Sequence, residues 1–355
     1  MIKIKAPGRV CLFGDHQDYL GLPIIACAIN RHIELEAHLN NSELLKIRFI
    51  DINQTRSITI PYNFNNYNPE DTFIAVLKVL ERYGCKPNLG YDISITGNIP
   101  INAGLSSSSA LILIWISFLV QAFGIKVECN QELLAKIAYE AEVLERNGPG
   151  GKMDQFSIAL GNIIYLETDE KAAYKTFNGE LPGLIIGESG IPKDTLGLLA
   201  DRRRLALESI VFLKNLNHGF DVKNITENTI EHYLGQLPNT LKPYFNAAVR
   251  NHLITQKALS EFEEEPLDIP ILGKLMSQHH SILKNDLKIT VPKIDKMIDA
   301  ALLGGSYGAK IVGSGGGGCI IALAPENKEQ KIIKQLKLAG AVNAYKAEVS
   351  EGILL

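Results

Sequence analysis

With 355 residues, 46% hydrophobic and 21% charged, the chain is long enough for two domains with sizeable cores and has the make-up of a globular enzyme. A net charge of −3, without a basic block or Arg/aromatic interleaving, argues against nucleic acid as a partner. Five dispersed cysteines, at 11, 27, 85, 129 and 319, show no CxxC spacing, which argues for reduced thiols in a cytoplasmic setting and against a disulfide framework or structural zinc. Met1-Ile2-Lys3-Ile4-Lys5 lacks the apolar core of a signal peptide. The most apolar run, Ala110 to Phe123, is shorter than the roughly 20 residues that span a bilayer, so no membrane partner is expected.

Ile2 to Ala6 and Val10 to Phe13 read as short strands flanking Ala6-Pro7-Gly8-Arg9. A polar insert, Gly14 to Gly21, separates them from further strands at Ile24 to Ile29, His32 to Leu39 and Leu44 to Ile50. Glu70 to Tyr83 has helical periodicity, and Tyr91 to Thr96 is a strand. Next comes Gly97 to Ala110, where Pro100 keeps the chain extended, Gly104 allows a sharp turn and four serines precede a long apolar helix. Glu132 to Arg146 is a helix with Leu133, Leu134, Ile137, Ala138, Ala141 and Leu144 on one face, ending at Asn147-Gly148-Pro149-Gly150-Gly151. A strand at Asn162 to Leu166 and a polar stretch over residues 168–181 follow, placing a domain boundary near 180. Residues 181–355 open on a strand at Gly183 to Glu188 and are then mainly helical: Asp194 to Leu216, Glu227 to Leu234, Leu241 to Glu263, Ile271 to Asn285 and Val291 to Leu303. The chain closes with strands at Lys310 to Val312 and Cys319 to Ala324, a helix from Glu326 to Leu338 and a strand near Val342 to Val349. A strand-rich first half and a helix-rich second half predict an α+β fold.

Four segments bear candidate chemistry. Ser106 to Ser109 offer hydroxyls and free amides at a helix N-terminus, a site for phosphate, although one or two serines would suffice for an ordinary cap. Asp15, His16 and Asp18, three ionisable residues in four positions, suit a polyol or a solvated hairpin turn equally. Asp154, after a glycine-rich break, is either a helix cap or a general base, and Arg9 would lower its pKa if the two approached. Five glycines in Gly313-Ser314-Gly315-Gly316-Gly317-Gly318, between two apolar strands, predict close backbone approach to a phosphate or substrate. A strand follows that loop, so it is no dinucleotide fingerprint, and neither a GxxxxGK[ST] loop nor a GxSxG elbow occurs.

Ala6 to Tyr19, Pro100 to Ala110 and Gly308 to Cys319, in this order, together resemble the superfamily of galactokinase, homoserine kinase, mevalonate kinase and phosphomevalonate kinase (the GHMP kinases). Galactokinase is echoed most in Arg9, Asp15-His16-x-Asp18-Tyr19, Gly104 to Ser108 and Gly151-Lys-Met-Asp-Gln155, whereas mevalonate kinases typically carry Lys at the Arg9 position. The resemblance implies a ribosomal-protein-S5-like N-terminal domain over 1–180 and a ferredoxin-like C-terminal domain over 181–355. It makes Asp154 the catalytic carboxylate with Arg9 as its cationic partner. Pro100, Gly104, Leu105, Ser106, Ser107, Ser108 and Ser109 would wrap the phosphates of ATP, and Ser108 and Glu142 would hold Mg²⁺. Asp15, His16, Asp18, Gly151, Gly315 and Gly316 would meet the sugar. Helical periodicity alone favours Glu145 over Glu142 as the inward carboxylate; the offset from Glu142 to Asp154 matches the family.

Two departures fall on the sugar pocket: Leu199 stands where galactokinases carry a Tyr, and Asp15 replaces a Glu. The expected activity is phosphorylation of a small-molecule sugar at its anomeric hydroxyl. The alternatives are another acceptor (another hexose, a uronic acid, a heptose or mevalonate) and a non-catalytic sugar or nucleotide sensor. Oligomeric state is left open by the sequence.

Overall fold

The computed structural model describes residues 1–193 and 196–354. The first half builds β1 (Ile2–Phe13), β2 (Ile24–Leu39), β3 (Leu44–Phe49), β4 (Gln54–Thr59), α1 (Thr72–Arg82), β5 (Tyr91–Gly97), α2 (Ser107–Phe123), α3 (Gln131–Tyr139), α4 (Met153–Leu160), β6 (Ile163–Leu166) and β7 (Tyr174–Phe177). The second builds β8 (Leu184–Glu188), α5 (Leu196–Leu216), α6 (Ile230–Gln236), α7 (Lys242–Glu263), α8 (Ile269–Asn285), α9 (Pro292–Gly304), β9 (Gly308–Ile311), β10 (Cys319–Leu323), α10 (Glu329–Leu338) and β11 (Asn343–Lys346). The expected helix start at Asp194 lies outside the described residues.

The first sheet runs β4-β3-β5-β2-β6-β7, with β1 along the other edge of β2. Among the described residues only β3 and β5 pair in parallel in it. The second sheet, order β11-β8-β10-β9, is antiparallel throughout, the strand order of a ferredoxin-like unit. The chain passes between the sheets from Phe177 to Leu184.

Several local expectations change. Pro7-Gly8 does not end a strand: β1 continues through it with a shift of register between the two residues, as proline is tolerated at bulges. Likewise Ile24 to Leu39 is one strand, not two. β4 and β7 were not expected. Both are largely exposed and polar, so no alternating apolar pattern marks them. The helix over 132–146 is α only to Tyr139; Glu140–Leu144 forms a π-turn in which Glu145 N–H reaches the carbonyl of Glu140 (2.8 Å).

α2 is apolar on nearly every face and, Leu111 apart, is buried from Ser109 to Leu119, against the first sheet. The principal core does not stop at the boundary between the sheets. Phe13, Trp115 and Phe156 share it with Met276, Val312 and Ile321 of the second half. The tail after β11 also returns to the first half. Asn30 N–H donates to Glu348 O (3.0 Å), Asn162 N–H to Ser350 O (2.7 Å), and Ile353 N–H to Ala159 O (3.2 Å), with the Ile353 side chain fully buried. Among the described residues no helix is long and apolar enough to cross a membrane.

Candidate active site

The apolar strands and helices around α2 bring a set of charged residues to the rim of one cavity of about 810 Å³. Its floor is built from β1, the turn before α2, and the first turn of α4. Arg9, 2% exposed, donates from Nε (2.8 Å) and Nη2 (2.6 Å) to Asp154 Oδ1, and from Nη1 to the Gly104 carbonyl (2.6 Å). Ser106 Oγ donates to Asp154 Oδ2 (2.7 Å). Burial pushes the Asp154 carboxyl up, but the charges of Arg9 and Lys193 and the hydrogen bonds from Ser106 and Arg9 outweigh it and hold its pKa below the ordinary value. Asp154 therefore stays ionised, with its side chain 28% exposed toward the cavity.

Asp154 lies inside the first turn of α4 and is not its cap. Nor does Ser106 cap α2: it takes a left-handed conformation (φ 58°) and spends its hydroxyl on Asp154. Among the described residues no side chain caps that helix, so its N-terminal amides stay available to an anion. Of the Pro100–Ser109 stretch, Asn102 and Ser108 border the cavity. Leu105 and Ser109 are buried, and the Ser109 side chain opposes the upward shift of the Glu142 carboxyl.

The two candidate cation ligands face the same space. Glu142 borders the cavity beside Ser108, and its Oε2 accepts from Gln155 Nε2 (2.7 Å). Burial, then the charge of Asp154, raises its pKa. Glu145 instead accepts hydrogen bonds from Tyr67 and Arg82. The π-turn explains why helical periodicity misjudges them, since an extra residue in the turn shifts the phase of all that follows. Leu144, expected inward, is 55% exposed, while Val143 is 7% exposed.

On the opposite wall, the insert after β1 is wired to the loop after β9. Asp15 borders the cavity, but its Oδ1 accepts from Gly313 N (2.7 Å) and its Oδ2 from Lys310 Nζ (2.5 Å). Both oxygens thus have partners within the protein. His16 bonds Ser314 O through Nε2 (3.1 Å) and Tyr19 hydroxyl through Nδ1 (2.9 Å). Asp18 does face the space beside Asp154, and burial followed by that neighbour's charge raises its pKa to about 6. A side chain at Gly151 would collide with the Asp18 carboxylate, which accounts for the glycine there.

Gly315 and Gly316 stand elsewhere. A Cβ at Gly315 would lie 2.5 Å from Ile289, and Gly316 N–H donates to the Ile289 carbonyl (2.8 Å). These glycines allow close packing of the protein on itself, and the cavity is bordered by Gly313 and Ser314 instead. Leu199 does border it. Lys193, which no motif singled out, lines the cavity as a second cation near Asp154; burial, more than its neighbours, lowers its pKa. The only sequence signal for it was its place shortly after a buried strand.

Comparison with known proteins shows the family. Residues 71–162 match the family described as GHMP kinases N terminal domain, 257–342 GHMP kinases C terminal, and 2–37 the galactokinase galactose-binding signature. A mevalonate kinase from Thermococcus sibiricus is 28% identical over 363 residues, spanning 98% of this chain and 96% of its own length. A galactokinase from Haemophilus influenzae is 29% identical over 346 residues, spanning 94% and 88%. In fold, the chain superposes on Lactococcus lactis galactokinase complexed with galactose with a TM-score of 0.89, at 21% identity over 99% of this chain and 94% of that one. For the Methanococcus jannaschii mevalonate kinase the TM-score is 0.73, at 22% identity over 99% and 98%.

Proposed function

The chain belongs to the GHMP kinases, and from that premise we propose that it is an ATP- and Mg²⁺-dependent kinase whose acceptor is a hydroxyl of a small sugar-like molecule, with a sugar 1-phosphate as product. The observation that carries this reading is the Arg9–Asp154–Ser106 constellation, which stands at the N-terminus of α2 on the border of one cavity.

The residues present suit the two groups this activity needs. Ser108 and the buried Ser109 hydroxyl stand in the first turn of that helix, with Glu142 beside them. Among the described residues no group of three or more His, Cys, Asp or Glu would hold a metal alone. That agrees with Mg²⁺, which takes one or two protein oxygens and completes its shell with phosphates and water. A smaller adjoining cavity of about 410 Å³, bordered by Asn68, Phe73 and Leu111 and sharing Ser108, suits a nucleoside. ATP and Mg²⁺ would supply the transferable phosphoryl group and the neutralisation of its charge.

The chain's own part is positioning. Asp154, kept ionised by Arg9 and Lys193, accepts a hydrogen bond from the acceptor hydroxyl and orients its oxygen. Its low basicity suits a reaction in which the proton moves late and alignment does most of the work. Arg9 and Ser106 hold the carboxylate at both oxygens, so its geometry does not depend on ligand. Acceptor hydroxyls are read by Asp18 and Tyr19.

The occupied Asp15 and the apolar Leu199 weaken a reading as galactose specifically. Mevalonate is the second acceptor to consider, because its kinases span nearly the whole chain. A coupled ADP-release screen over hexoses, uronic acids, heptoses and mevalonate tests the proposal, with a hexose expected to give the highest kcat/KM. Saturable ligand binding without ADP release from any acceptor would replace the kinase by a sensor.

A further inference from the structure

We infer that Lys310 and Asp15 are a positioning pair, which touches no ligand and hangs the acceptor wall of the first sheet on strand β9 of the second. This rests on the reading of the cavity as an acceptor site. Both side chains are sealed from solvent, Lys310 at 0% and Asp15 at 1% exposure. Two charges at that depth are costly unless their hydrogen bonds are satisfied. Lys310 Nζ donates to Asp15 Oδ2 (2.5 Å) and to the Cys11 carbonyl (3.0 Å), and Asp15 Oδ1 takes the Gly313 N–H (2.7 Å). Every one of these bonds joins residues 11–15 to residues 310–313. None runs within a single sheet.

The link continues outward to the cavity. Ser314 O can only accept, so the His16 bond to it fixes the ring N–H on Nε2. Burial holds His16 neutral, with a pKa of about 4, which leaves Nδ1 as an acceptor for the Tyr19 hydroxyl. Tyr19 thereby donates inward, and its remaining lone pairs are what it can offer an acceptor. His16 itself sits at φ 63°, a left-handed conformation that a non-glycine residue keeps only when its surroundings impose it. The imposing contacts are the two bonds to its ring and the ion pair one residue before it. On the far side, His279 stacks on Phe13 (6.3 Å between centroids) and is itself fully buried, which closes the pair from water.

The pair therefore sets where Asp18 and Tyr19 stand, although it reads no acceptor group. The single variant Lys310→Met leaves Asp15 buried and unpaired and is expected to fold poorly; the double variant Asp15→Asn/Lys310→Met removes both charges and keeps the test open. In the ligand-free double variant, amide hydrogen exchange over residues 14–21 is expected to speed up about tenfold or more while α1 is unchanged. With an acceptor that the unaltered protein phosphorylates, acceptor KM should rise about tenfold and ATP KM stay within about twofold. That rise should be the same for every deoxy analogue of the acceptor. Unchanged exchange over 14–21 in the folded double variant overturns the inference. So does a loss that disappears with one particular deoxy analogue, since that would make Asp15 a direct ligand. If the unaltered protein releases no ADP with any acceptor, the kinase reading fails and hydrogen exchange alone decides on the pair.

Discussion

Asp154 and Asp18 are two carboxylates at one cavity whose environments push their pKa values apart. Burial raises both; at Asp154 the cations and Ser106 prevail, whereas at Asp18 the charge of Asp154 adds to burial and only backbone N–H groups and a weaker effect of Arg9 oppose it. Asp154→Ala is expected to lower turnover at least about 10³-fold with nucleotide affinity retained in a calorimetric titration. Near-normal turnover would remove it from the chemistry. Asp18 carries a stability consequence whose sign follows from its raised folded-state pKa. The folded protein binds this proton more readily than the unfolded chain, so the favourable contribution is present at low pH and is lost as pH rises through about 6. Asp18→Asn should therefore raise the melting temperature of the ligand-free protein at pH 7.5 and leave it unchanged near pH 4. An equal shift at both pH values would contradict this, and acceptor affinity should fall in the same variant. Lys193 and the partners of Asp15 could not be read in advance, because an ion pair between positions 15 and 310 has no local signature.

Among the elements, the π-turn at Glu140–Leu144 best shows why a site can be half legible. The apolar positions from Leu133 to Ala141 mark an inward face correctly, and Leu134, Ile137 and Ala138 are fully buried. Beyond Glu140 the rule of 3.6 residues per turn no longer applies, so it points to Glu145 where the cavity holds Glu142. The family offset to Asp154 carries that information, and periodicity does not. Two substitutions check the phase. Val143→Ala should cost about 2 kcal/mol in chemical denaturation, while Leu144→Ala, exposed, should stay within about 0.5 kcal/mol. A regular helix would reverse the two. Strands β4 and β7 escaped for a related reason: their faces are mostly in water, so nothing in their composition alternates. The long buried elements, by contrast, were legible because burial writes its pattern into sequence.

In the whole molecule, the two sheets are separate but the packing is not. Trp115, the single tryptophan, lies 1% exposed in a core that includes Met276, Val312 and Ile321 from the second half. We propose that 1–180 and 181–355 are two units by topology and one by cooperativity. Tryptophan fluorescence reports the first half, and far-ultraviolet circular dichroism draws heavily on the helices α5 to α9 of the second. The two probes should give coincident urea midpoints. Midpoints well separated in denaturant would show that the halves unfold independently.

The returning tail bears on how the chain is made. Asn30, Ala159 and Asn162 leave the ribosome early, yet their backbone partners are Glu348, Ile353 and Ser350. Chains commonly fold from the N-terminus during synthesis, at about 5–20 residues per second. Here the middle of β2 and the C-terminal end of α4 with the turn after it must wait through the translation of the entire second half. During that interval the backbone groups of Asn30 and Asn162 lack the partners they have in the finished fold, which leaves that strand segment open to pairing with other chains.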